Sequence, residues 1–199
     1  MSTLFSLTIE HMVLVLIAIA ISAIIGVILG IICYWVLYLD KVILWVVDSL
    51  QTIPSLALLA LLMIFFGLGN TTLIIGLILY SLLPIVRNTY IGLTGVPPHL
   101  KDAAKGMGMS KLQRMRKVEL PLSFPLIFSG IKIATVTALS IAVIGVLIGS
   151  GGLGYPIYRG IQTMNFGAII KGTLPVVIMA VIFDFLMSKV EYKLVKRAK

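Results

Sequence analysis

LKDAAKGMGMSKLQRMRKVELPL, residues Leu100–Leu122, interrupts a chain that is otherwise strongly apolar. It carries Lys101, Lys105, Lys111, Arg114, Arg116 and Lys117. On both sides lie apolar runs long enough to cross a bilayer core, which takes about 20 helical residues. The segment therefore reads as a polar loop between two membrane spans, and its side of the membrane orients the rest.

Of the 199 residues, 60% are hydrophobic and 12% charged, and the mean hydropathy is +1.14. Soluble domains carry about 25% charged residues. So much apolar surface needs lipid as its solvent, which makes this an integral membrane protein. The length suits one transmembrane domain, residues 1–199. A net charge of +9 invites a nucleic-acid reading, but membrane proteins collect Lys and Arg in cytoplasmic loops for topological reasons. No nucleic-acid partner is expected. Cys33 is the single cysteine, so no internal disulfide forms. His11 and His99 have no carboxylate or cysteine at metal-ligand spacing, so no metal site is expected. The chain has no G-x-S-x-G, H-E-x-x-H, paired-carboxylate or phosphate-loop pattern, hence no catalytic residue and no ATP site of that kind. Met1–Glu10 lacks a positive n-region and precedes an apolar run too long for a signal peptide.

Five spans are expected, at about 12–39, 42–68, 72–95, 122–148 and 166–188, with a loop at 97–121. The second holds Asp48 and a Gln51-Thr52-Ile53-Pro54-Ser55 interruption near its start. Arg87 closes the most apolar part of the third, and Gly149-Ser150-Gly151-Gly152-Leu153-Gly154 breaks the chain after the fourth. Arg87 and the loop cations fall on one side, as do Lys189, Lys193, Lys196, Arg197 and Lys199 of the tail. The other side holds only Arg159 and Lys171. The positive-inside rule makes the loop and tail cytoplasmic and the N-terminus external. Tyr34, Trp35, Tyr38 and Trp45 read as an interfacial aromatic belt. Gly26-x-x-x-Gly30 and Gly145-x-x-x-Gly149 read as close helix packing, with helix dimerisation the lesser alternative.

Within the loop, Pro98 can start a short helix reaching about Lys105, since Pro is tolerated at the first helical position. Gly106 and Gly108 flank Met107 and allow a sharp turn. Ser110 followed by Gln113 fits a capping box for a second helix, with Leu112, Met115 and Val118 on one face and Pro121 as its end. Physics alone favours a basic amphipathic loop on anionic lipid. Ala103-Ala104 beside two glycines points instead to close approach by another protein.

Asp102-Ala103-Ala104, then Gly108, then Val118-x-Leu120-Pro121 resembles the EAA loop of binding-protein-dependent ABC import permeases. That pattern reads Glu-Ala-Ala, three residues, Gly, nine residues, Ile-x-Leu-Pro; Asp102 stands for Glu and Val118 for Ile. Gly149–Gly154 is similar to the Gly-Ala-Gly-Gly-Leu-Gly of permeases with the methionine-importer fold, with Ser150 for Ala. The resemblance covers nearly the whole chain. Gln51–Leu58 and Tyr80–Tyr90 resemble the osmoprotectant subgroup, which imports glycine betaine, carnitine, choline or related quaternary ammonium compounds.

The resemblance implies an all-α membrane protein, with five transmembrane helices and a cytoplasmic coupling-helix loop between spans three and four. It would be half of a transmembrane dimer with an identical or related second permease, in the cytoplasmic membrane of a prokaryote. The loop would dock on a separate cytoplasmic ATPase that holds the ATP and magnesium, this chain itself having no cofactor. An extracytoplasmic binding protein would deliver substrate. The coupling residues expected are Asp102, Ala103, Ala104, Gly106, Gly108, Met109, Ser110, Leu120 and Pro121, with Ala104 among those giving close docking. Gln51, Thr52, Pro54, Ser55, Pro84 and Asn88 are candidates to line the pathway, the alternative being ordinary proline kinks. Lys132 and Asp184 are intramembrane charges near the inner ends of their spans, able to pair. Gly149, Gly151, Gly152 and Gly154 form the expected outer hinge. The rival readings are a permease of the same family for another solute such as methionine, and an ATP-independent channel or secondary transporter.

Overall fold

Thr3 opens the first helix by accepting the Ser6 N–H at 3.3 Å, so α1 (Leu4–Trp35) begins well before the expected start at residue 12. The computed structural model describes residues 3–36 and 38–198, with the backbone only at 197 and 198. Leu37 in the first expected span, the Arg197 side chain and Lys199 of the tail lie outside the described residues. Every regular element described is helical.

The buried face of α1 recurs every three or four positions: Val15, Ala18, Ser22, Gly26, Gly30 and Cys33. Small residues there bring the backbone against α4 (Asn70–Thr94). A Cβ on Gly26 would stand 2.7 Å from Ile85 Cγ2, and one on Gly30 2.5 Å from Thr89 Cβ. The Gly26-x-x-x-Gly30 spacing is thus used inside the chain. Gly30→Ala is expected to destabilise the bundle by about 1–3 kcal/mol through overpacking. A lower unfolding temperature in detergent, beside no change for the exposed Ile24→Leu, would register this.

The second expected span, 42–68, is not one helix. It divides into α2 (Leu39–Thr52) and α3 (Ser55–Phe66), bent by 101° at the break. Proline disfavours the α conformation in its predecessor, and Ile53 is extended at φ −69°, ψ 128°. The pair nonetheless connects opposite ends of the bundle. At its start, Tyr90 donates to Asp40 at 3.1 Å. At its finish, the Gly69 N–H donates to the Ile148 carbonyl at 2.8 Å. With α2–α3 counted as one crossing, the described residues hold five: α1, α2–α3, α4, α7 (Leu120–Ile144) and α9 (Phe166–Ala198).

The core sits around α4, where Leu73, Leu77 and Ile85 meet Val15, Leu59 and Leu139. After α4 come α5 (Pro98–Gly106), α6 (Lys111–Arg114), a π turn (Met115–Glu119) and α7 (Leu120–Ile144), which ends in a 3₁₀ turn, Gly145–Ile148. From Lys111 to Ile148 the helical path is unbroken. Pro121, expected to end the loop helix, lies inside it. A proline ring collides with the carbonyl four residues back, and the wider π turn just before Pro121 moves that carbonyl aside. On α7, Gly130 touches α4 directly: a Cβ there would stand 2.6 Å from the Pro84 carbonyl oxygen and 2.8 Å from Asn88 Cβ. α8 (Gly154–Gln162), absent from the sequence reading, packs on α9 (Phe166–Ala198). α9 runs through the basic tail beyond its expected end at 188. Its exposed Ile170, Leu174, Val177, Val181 and Phe185 form a lipid-like outer surface.

Candidate functional site

The loop at 97–121 is two helices and a turn. Pro98 occupies the first turn of α5, where its missing N–H leaves no bond unmade. Gly108 turns the chain at φ +77°, a conformation that a Cβ disfavours. Ser110 and Gln113 complete the capping box, at 2.9 and 3.3 Å. Asp102, Ala103, Gly106, Gly108 and Ser110 are exposed, and Met109 is half-buried with its N–H on the Ala104 carbonyl at 3.1 Å. Leu120 is half-buried and Pro121 exposed.

Ala104 departs from expectation. It is 1% exposed, turned into its own chain where α5 packs on the π turn. Its small side chain lets α5 lie close to that turn and leaves Asp102 and Ala103 as the outward face. A helix offering two adjacent alanines must present them 100° apart, which the sequence motif alone does not reveal.

Beneath α5, Arg114 pairs with Glu119, whose side chain is 1% exposed. Residues five apart stand about 140° apart around an α-helix. The π turn, with its wider i→i+5 bonding, brings these two onto one face. Glu119 Oε2 has no hydrogen-bond partner among the described residues. The sequence reading missed this pair because Glu119 fills a free position of the motif.

Within the spans, Arg87 of α4 and Asp48 of α2 form a second pair at 2.7 Å. Arg87 lies inside α4, within the expected third span at 72–95. Both charges were visible inside apolar runs, and an intramembrane charge asks for a partner. Gln51, Thr52 and Pro54 are exposed nearby along α2, and Ser55 is half-buried. Pro84 is buried in the α4–α7 contact and Asn88 half-buried beside it, its amide on the Pro84 carbonyl at 2.8 Å. Pro84 therefore offers no open surface. The Ile53 carbonyl, freed by the break at Pro54, accepts the Tyr80 hydroxyl. Tyr80→Phe is expected to leave that carbonyl unmet at a cost of about 1–3 kcal/mol, seen as faster hydrogen–deuterium exchange across residues 49–56.

Lys132 lies 3.2 Å from Glu191 and 3.6 Å from Asp184, joining α7 to α9. Glu191, on the continuation of α9, was not anticipated. At the opposite end, the turn of Gly149, Gly151, Gly152 and Gly154 is tied down on two sides. Asn70 accepts from Ser150 at 2.7 Å and from the Gly151 N–H at 3.0 Å. Glu10 accepts from the Gly152 N–H at 3.2 Å. Gly152 takes φ +92° and seats directly on His11, whose Nε2 meets the Leu139 carbonyl at 3.1 Å. Glu10, His11 and Asn70 carry no local sequence signal for this contact. Among the described residues no group of three His, Cys, Asp or Glu could hold a metal ion.

Five crossings, with a two-helix loop running directly into one of them, are the architecture of a transport subunit in a membrane. The family described as binding-protein-dependent transport system inner membrane component matches residues 22–198, and the chain belongs to it. Among its relatives is the glycine betaine/carnitine/choline transport system permease protein OpuCD of Bacillus subtilis (strain 168), 43% identical over 183 residues, 92% of this chain and 80% of that one. The osmoprotectant import permease protein OsmW of Salmonella typhimurium is 38% identical over 193 residues, 94% of this chain and 90% of that one. The inward-facing MetNI methionine ABC transporter superposes with a TM-score of 0.82 at 22% identity, covering 93% of each chain, a likeness of fold.

Proposed function

We propose that this chain is the permease subunit of an ATP-driven importer for quaternary ammonium osmoprotectants such as glycine betaine, carnitine or choline. The observation that carries the reading is the α5 face. Asp102 and Ala103 stand outward on a helix supported from behind by Ala104, on a base continuous with a membrane span. A cytoplasmic ATPase docking on that face would move α5 and, with it, α7. The substrate class comes from relatives at 38–46% identity whose names carry these compounds.

On this reading the α5 loop and the end of α9 are cytoplasmic, the N-terminus is external, and α3, α4 and α7–α8 meet at the outer surface. A second permease subunit, identical or related, completes the pathway, and an external binding protein supplies substrate. The coupling role of Asp102, Ala103, Gly106, Gly108, Met109 and Ser110, the pathway role of Gln51, Thr52 and Pro54, and the hinge role of Gly149–Gly154 belong to this proposal. The test is reconstitution of the chain with its ATPase, any second permease subunit and its binding protein in proteoliposomes. ATP-dependent uptake of radiolabelled glycine betaine, carnitine or choline is expected. Uptake of methionine instead would place the chain with another cargo, and uptake without ATP would overturn the importer reading.

A further inference from the structure

Among the described residues, the ion pairs of Arg87, Arg114 and Lys132 differ in what they leave open. Glu119 is shut inside the loop at 1% exposure, and Lys132 is shared between two carboxylates. Arg87 and Asp48 are one cation and one anion, paired with each other while 49% and 40% exposed. Arg87 lies seven residues before the end of α4 at Thr94, about 10 Å in along the helix. Charged side chains on a membrane-crossing helix turn to water or protein in preference to lipid. Their open side therefore belongs to an aqueous path or a facing subunit. Asp48, Gln51 and Thr52, at i, i+3 and i+4, share one face of α2. That polar face runs to the break at Ile53–Pro54, so the pair sits on a continuous polar strip. Trp45, three residues before Asp48 and 69% exposed, adds an aromatic surface on the same side.

We propose that Asp48 and Arg87 form a zwitterion site on the translocation path. The Asp48 carboxylate, with Trp45, receives a trimethylammonium group, while the Arg87 guanidinium receives a carboxylate. The inference deepens the quaternary ammonium reading above and rests on it. An accessible pair with no net charge is the electrostatic complement of a betaine, which also carries one charge of each sign. A trimethylammonium group has no N–H to donate, so its partners are an anion and an aromatic face. A substrate carboxylate matches the planar fork of a guanidinium. The protein pair opens as the substrate enters and closes behind it, so neither charge is left alone in the membrane.

The test uses the assembled transporter in proteoliposomes and glycine betaine as the probe. The neutral pair Asp48→Leu with Arg87→Met removes both charges together and leaves no orphan ion, and its assembly is checked by co-purification. Glycine betaine uptake is expected to fall about ten- to a hundredfold, the loss of a charged contact. An assembled neutral pair that carries glycine betaine at the wild-type rate would show a purely structural ion pair and overturn the site. Wild-type failure to carry any quaternary ammonium compound would instead remove the substrate reading on which the site depends. Where the wild type also carries choline, Arg87→Gln is expected to impair glycine betaine more than choline, which has no carboxylate. An equal fall in both would remove Arg87 from the carboxylate position.

Discussion

Ala103→Arg is expected to abolish ATP-driven uptake while leaving membrane insertion and the fold of the bundle intact. Ala103 is exposed on α5 beside Asp102, so arginine there meets water in the isolated chain and perturbs little. Docking on an ATPase would enclose it without a designed partner. A charge buried unpaired at an interface costs several kcal/mol, and at 1.4 kcal/mol per tenfold a cost of about 3–5 kcal/mol weakens docking from roughly a hundredfold to several thousandfold. Ala104→Arg is the informative contrast. With Ala104 1% exposed, arginine would be forced between α5 and the π turn and would unsettle the loop itself. Co-purification with the ATPase and protease sensitivity of the loop distinguish the two. Lost docking with an intact loop is expected for residue 103, and a loosened loop for residue 104. Wild-type uptake by Ala103→Arg with the ATPase still bound would remove α5 from the docking face.

Arg114→Ala carries the largest expected loss of stability. It leaves Glu119 buried with no counter-ion, and removing one partner of a buried pair costs about 3–5 kcal/mol. The strain falls on the π turn, since the pair holds residues five apart onto a common face. The double change Arg114→Met with Glu119→Leu removes both charges and is expected to recover most of the loss, because apolar replacements of a buried pair are often neutral. Thermal unfolding of the purified chain measures both. A single variant as stable as the wild type would mean that Glu119 finds water or another donor.

What could be read from residues alone differs by region for physical reasons. The crossings were legible because twenty apolar residues have few other solutions, and Ser110–Gln113 and Gly108 announce a cap and a turn by local chemistry. The 101° bend was half visible: Pro54 signals an interruption, but its angle depends on how α3 packs against α4. The orientation of Ala104 could not be read, because a motif gives order along the chain and not which alanine faces inward. Arg87 could be placed in its span but not paired, because its partner Asp48 is thirty-nine residues away. The contacts of Glu10, His11 and Asn70 with the Gly149–Gly154 turn are likewise long-range.

Gly130 gives the long helical path its mechanical character. It lies at the midpoint of Lys111–Ile148, where α7 touches the α4 backbone with no side chain between them. Each arm measures about 28 Å. A rigid rod held there would have two equal arms, one rooted under the α5 loop and the other ending at the Gly149–Gly154 turn. A tilt of ten degrees about Gly130 carries each end by about 5 Å in opposite directions, for arms of that length. Were the rod to rock as one body, a push at its loop end would reappear, reversed in sign, at its glycine-turn end.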